Sequence, residues 1–169
     1  LSYVDNPFKA DAKFNFEKFR SHVHKAMHMM DDIIDLELEK VELIIQKIAD
    51  DPEDMDVRRV ELELWKKIRE MAQKGRRTGL GITAEGDMLA ALGLRYGTQE
   101  ATDFAVEVQK ALALAAYGAS VKLAAERGAF PLYDAAKEAN NPMIARIREA
   151  DPALYEEMTK TGRRNIAML

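Results

Sequence analysis

The stretch GRRTGLGITAEGDMLAALGLRYG, Gly75 to Gly97, decides how this chain folds. On either side of it apolar residues return every three or four positions, the period of a helix with one buried face. Inside it that period fails. Arg76 to Thr83 alternates poorly, contains Gly79 and Gly81, and reads as one short strand, about Thr78–Thr83. Glu85 to Leu92 then reads as a short helix closed by Gly93 and Gly97. Gly79-Leu80-Gly81-Ile82-Thr83-Ala84 also fits the loose G-x-G-x-x-A pattern of dinucleotide loops, which requires an apolar strand before it and a second strand after the helix. Here the residues before it are Gly75-Arg76-Arg77-Thr78 and no second strand follows, so a strand end packed closely on other backbone is the better reading. A lone strand leaves its backbone groups without partners. Either the segment is a loop, or its partners lie outside this chain.

Working outward, the rest reads as helix. Leu1 to Phe8 is extended chain and turn, with Asn6-Pro7 as a breaker, and Asn15 is placed to cap a helix. Phe16, Phe19, Val23, Met27, Met30 and Ile34 form one apolar stripe. Leu36 to Ala49 continues helical after a bend, through Leu36, Val41, Ile44, Ile45 and Ile48, until Asp50-Asp51-Pro52 stops it. Met55 to Lys74 is a further helix whose stripe is Val57, Val60, Leu64, Ile68 and Met71, ended by Gly75. Thr98 caps what reads as the longest helix, with Phe104, Val108, Leu112, Ala115, Ala119 and Leu123 inward. Its alanine-rich part, Ala111 to Ala125, lets neighbouring helices approach, so it should be central. Gly128 and Pro131 end it. Three short helical pieces follow, two of them started by Asn141-Pro142 and Asp151-Pro152, each a cap followed by proline at the first helical position.

Composition narrows the function classes. The 169 residues suit one domain with a real core. There are 25 Lys and Arg against 29 Asp and Glu, a formal net charge of −4, interleaved along the chain, so no broad basic face for nucleic acid is implied. With no cysteine, this stretch holds no disulfide, zinc–thiolate site, iron–sulfur cluster or thiol chemistry. The longest apolar run, Ala111 to Gly118, is too short to span a bilayer, and no basic-then-apolar leader follows Leu1. No membrane role and a cytoplasmic location are the simplest expectation. The stretch Arg163-Arg164-Asn165-Ile166-Ala167-Met168-Leu169 closes on an apolar run with no polar tail, which reads as a cut end.

Candidate sites are few. His24 and His28, four apart, with Asp31 and Asp32 one turn on, present metal-ligand types on one helix face. The competing reading is a solvated polar face, since a metal site needs supporting partners and usually a ligand from elsewhere. A di-iron bundle is excluded because the Glu-x-x-His pattern is missing: Phe19, Ser21 and Lys25 stand three residues before the histidines. Arg76-Arg77 and Arg163-Arg164 suit phosphate, but basic pairs more often pair with nearby acids. No catalytic, cofactor-binding or metal residue is assigned.

The quoted stretch resembles the large, catalytic subunit of ribonucleotide reductase, where a barrel strand feeds a helix. The likeness continues through AAYGASVKLAAERGAFPLY, Ala115 to Tyr133, and GRRNIAML, Gly162 to Leu169. Upstream, LSYVDNPF and AMHMMDDIIDLELEKVELIIQKI, Leu1–Phe8 and Ala26–Ile48, resemble the part following that family's active-site cysteine motif. The long Asp35–Ile48 segment is closer to the adenosylcobalamin-dependent class than to the di-iron class. The resemblance implies a mainly α chain, a helical fragment of the family's ten-stranded α/β barrel with at most one short strand at about Thr78–Thr83. It spans residues 1–169 as one segment and not a complete native domain. The family's Asn-x-Cys-x-Glu radical loop and its electron-supplying cysteine pair have no counterpart here, and its phosphate loop is expected just beyond Leu169. The fragment is therefore expected to be inactive alone. Its implied partners are the remainder of the reductase chain, with adenosylcobalamin, a ribonucleotide substrate and a thiol reductant in the full enzyme, and apolar faces left bare would favour self-association. The alternatives are a self-contained helical scaffold with a closed polar surface, and a small metal-binding protein using His24 and His28.

Overall fold

The computed structural model describes residues 1–168. It is mainly helical, as the sequence predicts, and the elements follow the punctuation in the chain. A two-stranded antiparallel ribbon pairs β1 (Val4–Asp5) with β2 (Lys13–Phe14), Val4 opposite Phe14. Seven helices follow among the described residues: α1 (Phe16–Asp50), α2 (Met55–Gly75), α3 (Glu85–Ala91), α4 (Gln99–Arg127), α5 (Ala135–Glu138), α6 (Pro142–Ala150) and α7 (Pro152–Thr161).

The caps are where the sequence puts them. Asn15 accepts from the Lys18 amide at 2.9 Å and Thr98 from the Ala101 amide at 3.3 Å. Asn141 and Asp151 accept from Met143 and Leu154 at 2.9 and 3.0 Å, with Pro142 and Pro152 opening α6 and α7. Each bond satisfies an amide that the first helical turn cannot.

The core lies between α1, α4 and α7. Phe19, Val23, Met27 and Ile34 of α1 are buried, as are Val108, Leu112, Ala116, Ala119 and Leu123 of α4. The small side chains of α4 let it pack directly on α1 and α7. The ribbon closes one end through aromatic edges, with Phe14 5.3 Å from Phe19 and 6.0 Å from Phe104 between ring centres.

The structure differs from the sequence reading in four places. The expected bend before Leu36 is absent: no Gly or Pro lies between Phe16 and Asp50, and α1 runs unbroken for about 50 Å, so that α1, with 35 residues to the 29 of α4, and not α4, is the longest helix. The apolar stripe of α2 does not face the core. Val57, Val60, Leu64 and Met71 are exposed, only Ile68 is half-covered, and Gly75 is the one buried residue of the helix. Helix α2 runs back along α1 alone, held by Arg58 on the Ala49 and Asp51 carbonyls and by the Arg69–Glu42 ion pair. That contact covers a neighbouring face, Leu62, Trp65 and Ala72.

The other two differences concern strands. Thr78–Thr83 carries no strand assignment, and the two strands lie instead in the amino-terminal stretch read as extended chain and turn. The segment nevertheless has a partner within the chain. The Thr78 and Leu80 amides donate to the Ala167 and Met168 carbonyls, both at 2.9 Å, and the Ile166 amide donates to the Gly75 carbonyl at 3.0 Å. One edge of the segment is thus satisfied by residues 166–168. On the other edge, Arg77, Gly79, Gly81 and Thr83 are exposed and make no backbone hydrogen bond among the described residues.

Candidate functional site: a buried carboxylate joining four segments

Asp31 sits within the apolar stripe of α1, four residues after Met27 and three before Ile34, and its side chain is fully buried (0% exposed). A buried carboxylate must be paired and hydrogen-bonded to be tolerated. Here all its acceptor positions are taken. Oδ1 receives Arg76 Nε at 2.8 Å and Asn165 Nδ2 at 3.1 Å; Oδ2 receives Arg127 Nη1 at 3.0 Å and Arg164 Nε at 3.3 Å. Four donors fill the capacity of one carboxylate. Outside it, Asp35 takes Arg76 Nη1 at 2.8 Å and Asp32 takes Arg127 Nη1 at 2.7 Å. Three carboxylates therefore face three guanidinium groups.

The donors come from three places in the chain, which with α1 makes four segments joined. Arg76 is the residue that ends α2, in the left-handed conformation (φ +45°) that a side chain with a Cβ adopts at a cost of roughly 1–2 kcal/mol. Its guanidinium also donates to the Asp31 carbonyl at 3.0 Å, and this fork on α1 holds the unfavourable turn. Arg127 ends α4. Arg164 and Asn165 belong to the terminal segment, and Arg164 Nη1 additionally caps α4 through the Arg127 and Gly128 carbonyls at 3.0 and 3.2 Å. Ser120, buried in α4, donates to Asn165 Oδ1 and accepts from its amide, both at 3.0 Å. Asn165 Nδ2 reaches the Arg76 carbonyl at 3.1 Å.

Burial alone pushes the Asp31 carboxyl upward, but the hydrogen bond and charge of Arg76, with Arg164 and Asn165, outweigh it and hold the group below its ordinary value. Burial likewise works against the Arg76 charge, and Asp35 and Asp31 overcome it, so its pKa is raised.

Arg163 makes a second anchor beside the first. It is 2% exposed; Nη2 donates to Glu138 Oε1 at 3.0 Å and Nε to the Asn165 carbonyl at 3.1 Å. Its guanidinium lies 5.7 Å from the Tyr117 ring centre and 5.5 Å from that of Phe130. Burial raises the Tyr117 hydroxyl pKa. Consecutive residues 163–165 are thus fastened in three directions.

The residues singled out in the sequence fall as follows. Arg76, Arg163 and Arg164 pair with acids, while Arg77 is exposed. Asp31 is turned into the ion cluster and not toward His24 and His28, and no three His, Cys, Asp or Glu side chains converge as a metal site among the described residues. His24 is half-buried against Gly118 near Lys122; burial first, then the charges of Lys122 and His28, lower its pKa. The Gly79–Ala84 pattern lacks its strand–helix–strand setting. Its residues Leu80 to Ala84 line instead a cleft of about 320 Å³, shared with Tyr3, Phe19, His22 and Met88, in which Tyr3 Oη lies 3.3 Å from His22 Nδ1.

Sequence reasoning assigned Met30 to the buried stripe, whereas Asp31 is the buried residue there and Met30 is half-covered. Ser120, Glu138 and Asn165 were not singled out. The available signal was the position of Asp31: a charge at i+4 from Met27 and i−3 from Ile34 must find its partners inside.

No helix is long and apolar enough to cross a membrane among the described residues. Residues 2–169 match the family described as "Ribonucleotide reductase, barrel domain". A "Vitamin B12-dependent ribonucleoside-diphosphate reductase" of Mycobacterium tuberculosis is 32% identical over 124 residues, which is 73% of this chain and 14% of the relative. The protein of the same name from Thermoplasma acidophilum is 30% identical over 121 residues, 72% of this chain and 13% of the relative. The chain thus spans about one seventh of the length of these curated relatives. With the match running over nearly every residue, and with a helical wall around one extended segment that remains open on one edge, this chain belongs to the ribonucleotide reductase barrel-domain family.

Proposed function

We propose that the protein carrying this segment is a vitamin B12-dependent ribonucleoside-diphosphate reductase, and that residues 1–169 are one part of its barrel domain and not a complete domain. The observation that carries this reading is the segment Arg76–Thr83, held between α2 and α3 with one edge hydrogen-bonded to residues 166–168 and the other bare. A free edge is the place where a further strand adds. The relatives' printed names supply the reaction and the cofactor class.

In this reading the segment is wall and strand. It contributes no catalytic, cofactor-binding or metal residue: thiol and thiyl-radical steps need cysteine, which it lacks, and the acceptors of Asp31 are fully used by protein donors. These residues do not fit a resident cobalamin. In the full-length protein adenosylcobalamin would be bound elsewhere and would supply the radical chemistry; the overall reduction would oxidise a dithiol to a disulfide as one ribose hydroxyl leaves as water. The segment's role is to hold reacting groups in place. Its partners are the remainder of its own chain, a ribonucleoside diphosphate and a thiol reductant, in the cytoplasm. Exposed apolar residues of α1 and α2, Ile33, Leu36, Leu64 and Met71 among them, support burial by other chain or by a second copy and count against a closed scaffold module.

The test is turnover of the full-length protein with adenosylcobalamin, a dithiol and each ribonucleoside diphosphate. Formation of deoxyribonucleoside diphosphate that requires the cofactor supports the proposal; no turnover with any of the four overturns it.

A further inference from the structure

We propose that Asp31 is a register lock: its carboxylate sets which residues of the segment starting at Arg76 lie beside which residues of the segment starting at Arg164. The backbone alone does not settle this. The two segments share a handful of amide–carbonyl bonds, from Ile166 to Gly75, Thr78 to Ala167 and Leu80 to Met168. One of them is rich in glycine, with Gly79 and Gly81 both in open space. Pairing of that kind is weakly specified and prone to slip, because a shifted strand can remake equivalent backbone bonds.

The side chains at the head of each segment remove the ambiguity. Arg76 and Asn165 both end on Asp31 Oδ1, at 2.8 and 3.1 Å, and Arg164 ends on Oδ2 at 3.3 Å. A slip of one residue moves a strand by about 3.3 Å, more than a hydrogen bond tolerates. It would strand a guanidinium or an amide in a water-free site. Arg127 of α4 closes the carboxylate's last position, so the lock is keyed to the helical wall as well. Fixing register is the best-attested use of a buried ionic group, since such groups add little net stability when compared with apolar packing.

The experiment uses the full-length protein with Asp31→Asn, which keeps the side chain's shape. Glu42→Gln, in the exposed pair with Arg69, is the control. Amide hydrogen exchange, resolved by residue, reads how firmly each paired amide is held. The expected result is an acceleration at Thr78, Leu80, Arg164 and Ile166 at least about tenfold greater than that at residues 111–119 of α4. Uniform acceleration across α4 as well means that Asp31 only stabilises the fold, and no change means that it holds nothing; either result overturns the proposal. Arg76→Lys keeps the charge but loses the fork, and must give the same pattern more weakly should Asp31→Asn fail to fold; a uniform or absent effect in it also overturns the proposal.

A second readout rests on the reductase reading above. Asp31→Asn should lower kcat by about tenfold or more, as slight misplacement does, with KM within about threefold of wild type. An inactive wild-type protein would refute the reductase reading and leave the exchange pattern to decide the lock.

Discussion

The two halves of α1 live in different surroundings. Around Asp31 the helix meets α4, Arg76 and the terminal segment; Asp31 and Arg76 are shut off from water, while Asp35 and Arg127 pair with them, and Asp32 with Arg127, at the cluster's open side. Toward Asp50 it meets only α2, and there the ion pairs are exposed while apolar side chains of both helices face outward. The first region shows what a finished interior requires. The second has one helix wrapped by one neighbour, with Leu43, Val57, Val60 and Leu64 left bare. Burial makes the Asp31 interactions specific, whereas solvent screens those of Arg69–Glu42 and Lys74–Glu70 and leaves them weak.

Substitutions in the two regions should therefore differ severalfold in their effect on unfolding by denaturant. The largest effect is expected for Asp31→Ala, which leaves Arg76, Arg127 and Arg164 facing one another; loss of about 3–5 kcal/mol is expected, as for one partner removed from a buried pair. A loss below about 1 kcal/mol would mean that water reaches the cluster. Next comes Leu123→Ala in the middle of the core, at about 2–5 kcal/mol. Gly162→Ala follows. Its φ is +80°, and an added Cβ would lie 2.7 Å from the Ala129 Cβ and 3.2 Å from the Tyr133 ring; about 1–3 kcal/mol is expected.

Leu64→Ala on α2 should change stability by no more than about 0.5 kcal/mol in the isolated segment. A cost near that of Leu123→Ala would show that the bare face is covered, most simply by self-association, and sedimentation would reveal the partner copy.

Acid sharpens the same comparison. The Asp31 carboxyl is held below its unfolded value of 3.8. The unfolded chain therefore binds the proton first as pH falls, and the stability from this group, fully present above about pH 4, is lost as pH drops through the folded pKa. Wild type should steepen in that range and Asp31→Asn should not. The smallest effect belongs to His24, whose lowered pKa means that stability falls as pH drops below 6.5; His24→Gln should flatten this shallow slope.

The helices were legible because their signals are local. Asn15, Thr98, Asn141-Pro142 and Asp151-Pro152 act within one turn of themselves, and the spacing of Phe19, Val23, Met27 and Ile34 is a property of one helix. The candidate site was legible only in part. The sequence set out the arginine pairs and the plain expectation that they meet acids, but Arg164 and Asn165 lie 133 and 134 residues from Asp31 along the chain. No local rule links positions so far apart.

By itself, then, the sequence determined the helical class, the caps, the interruption at Gly75–Gly97 and the absence of thiol chemistry in this stretch. Each follows from the conformational preference or chemistry of residues near one another. Tertiary structure alone decided which face of α2 met α1, which edge of Arg76–Thr83 was satisfied, and which of the acids on α1 went inside. Those outcomes depend on which surfaces lose water together, and that is fixed by the packing of distant segments.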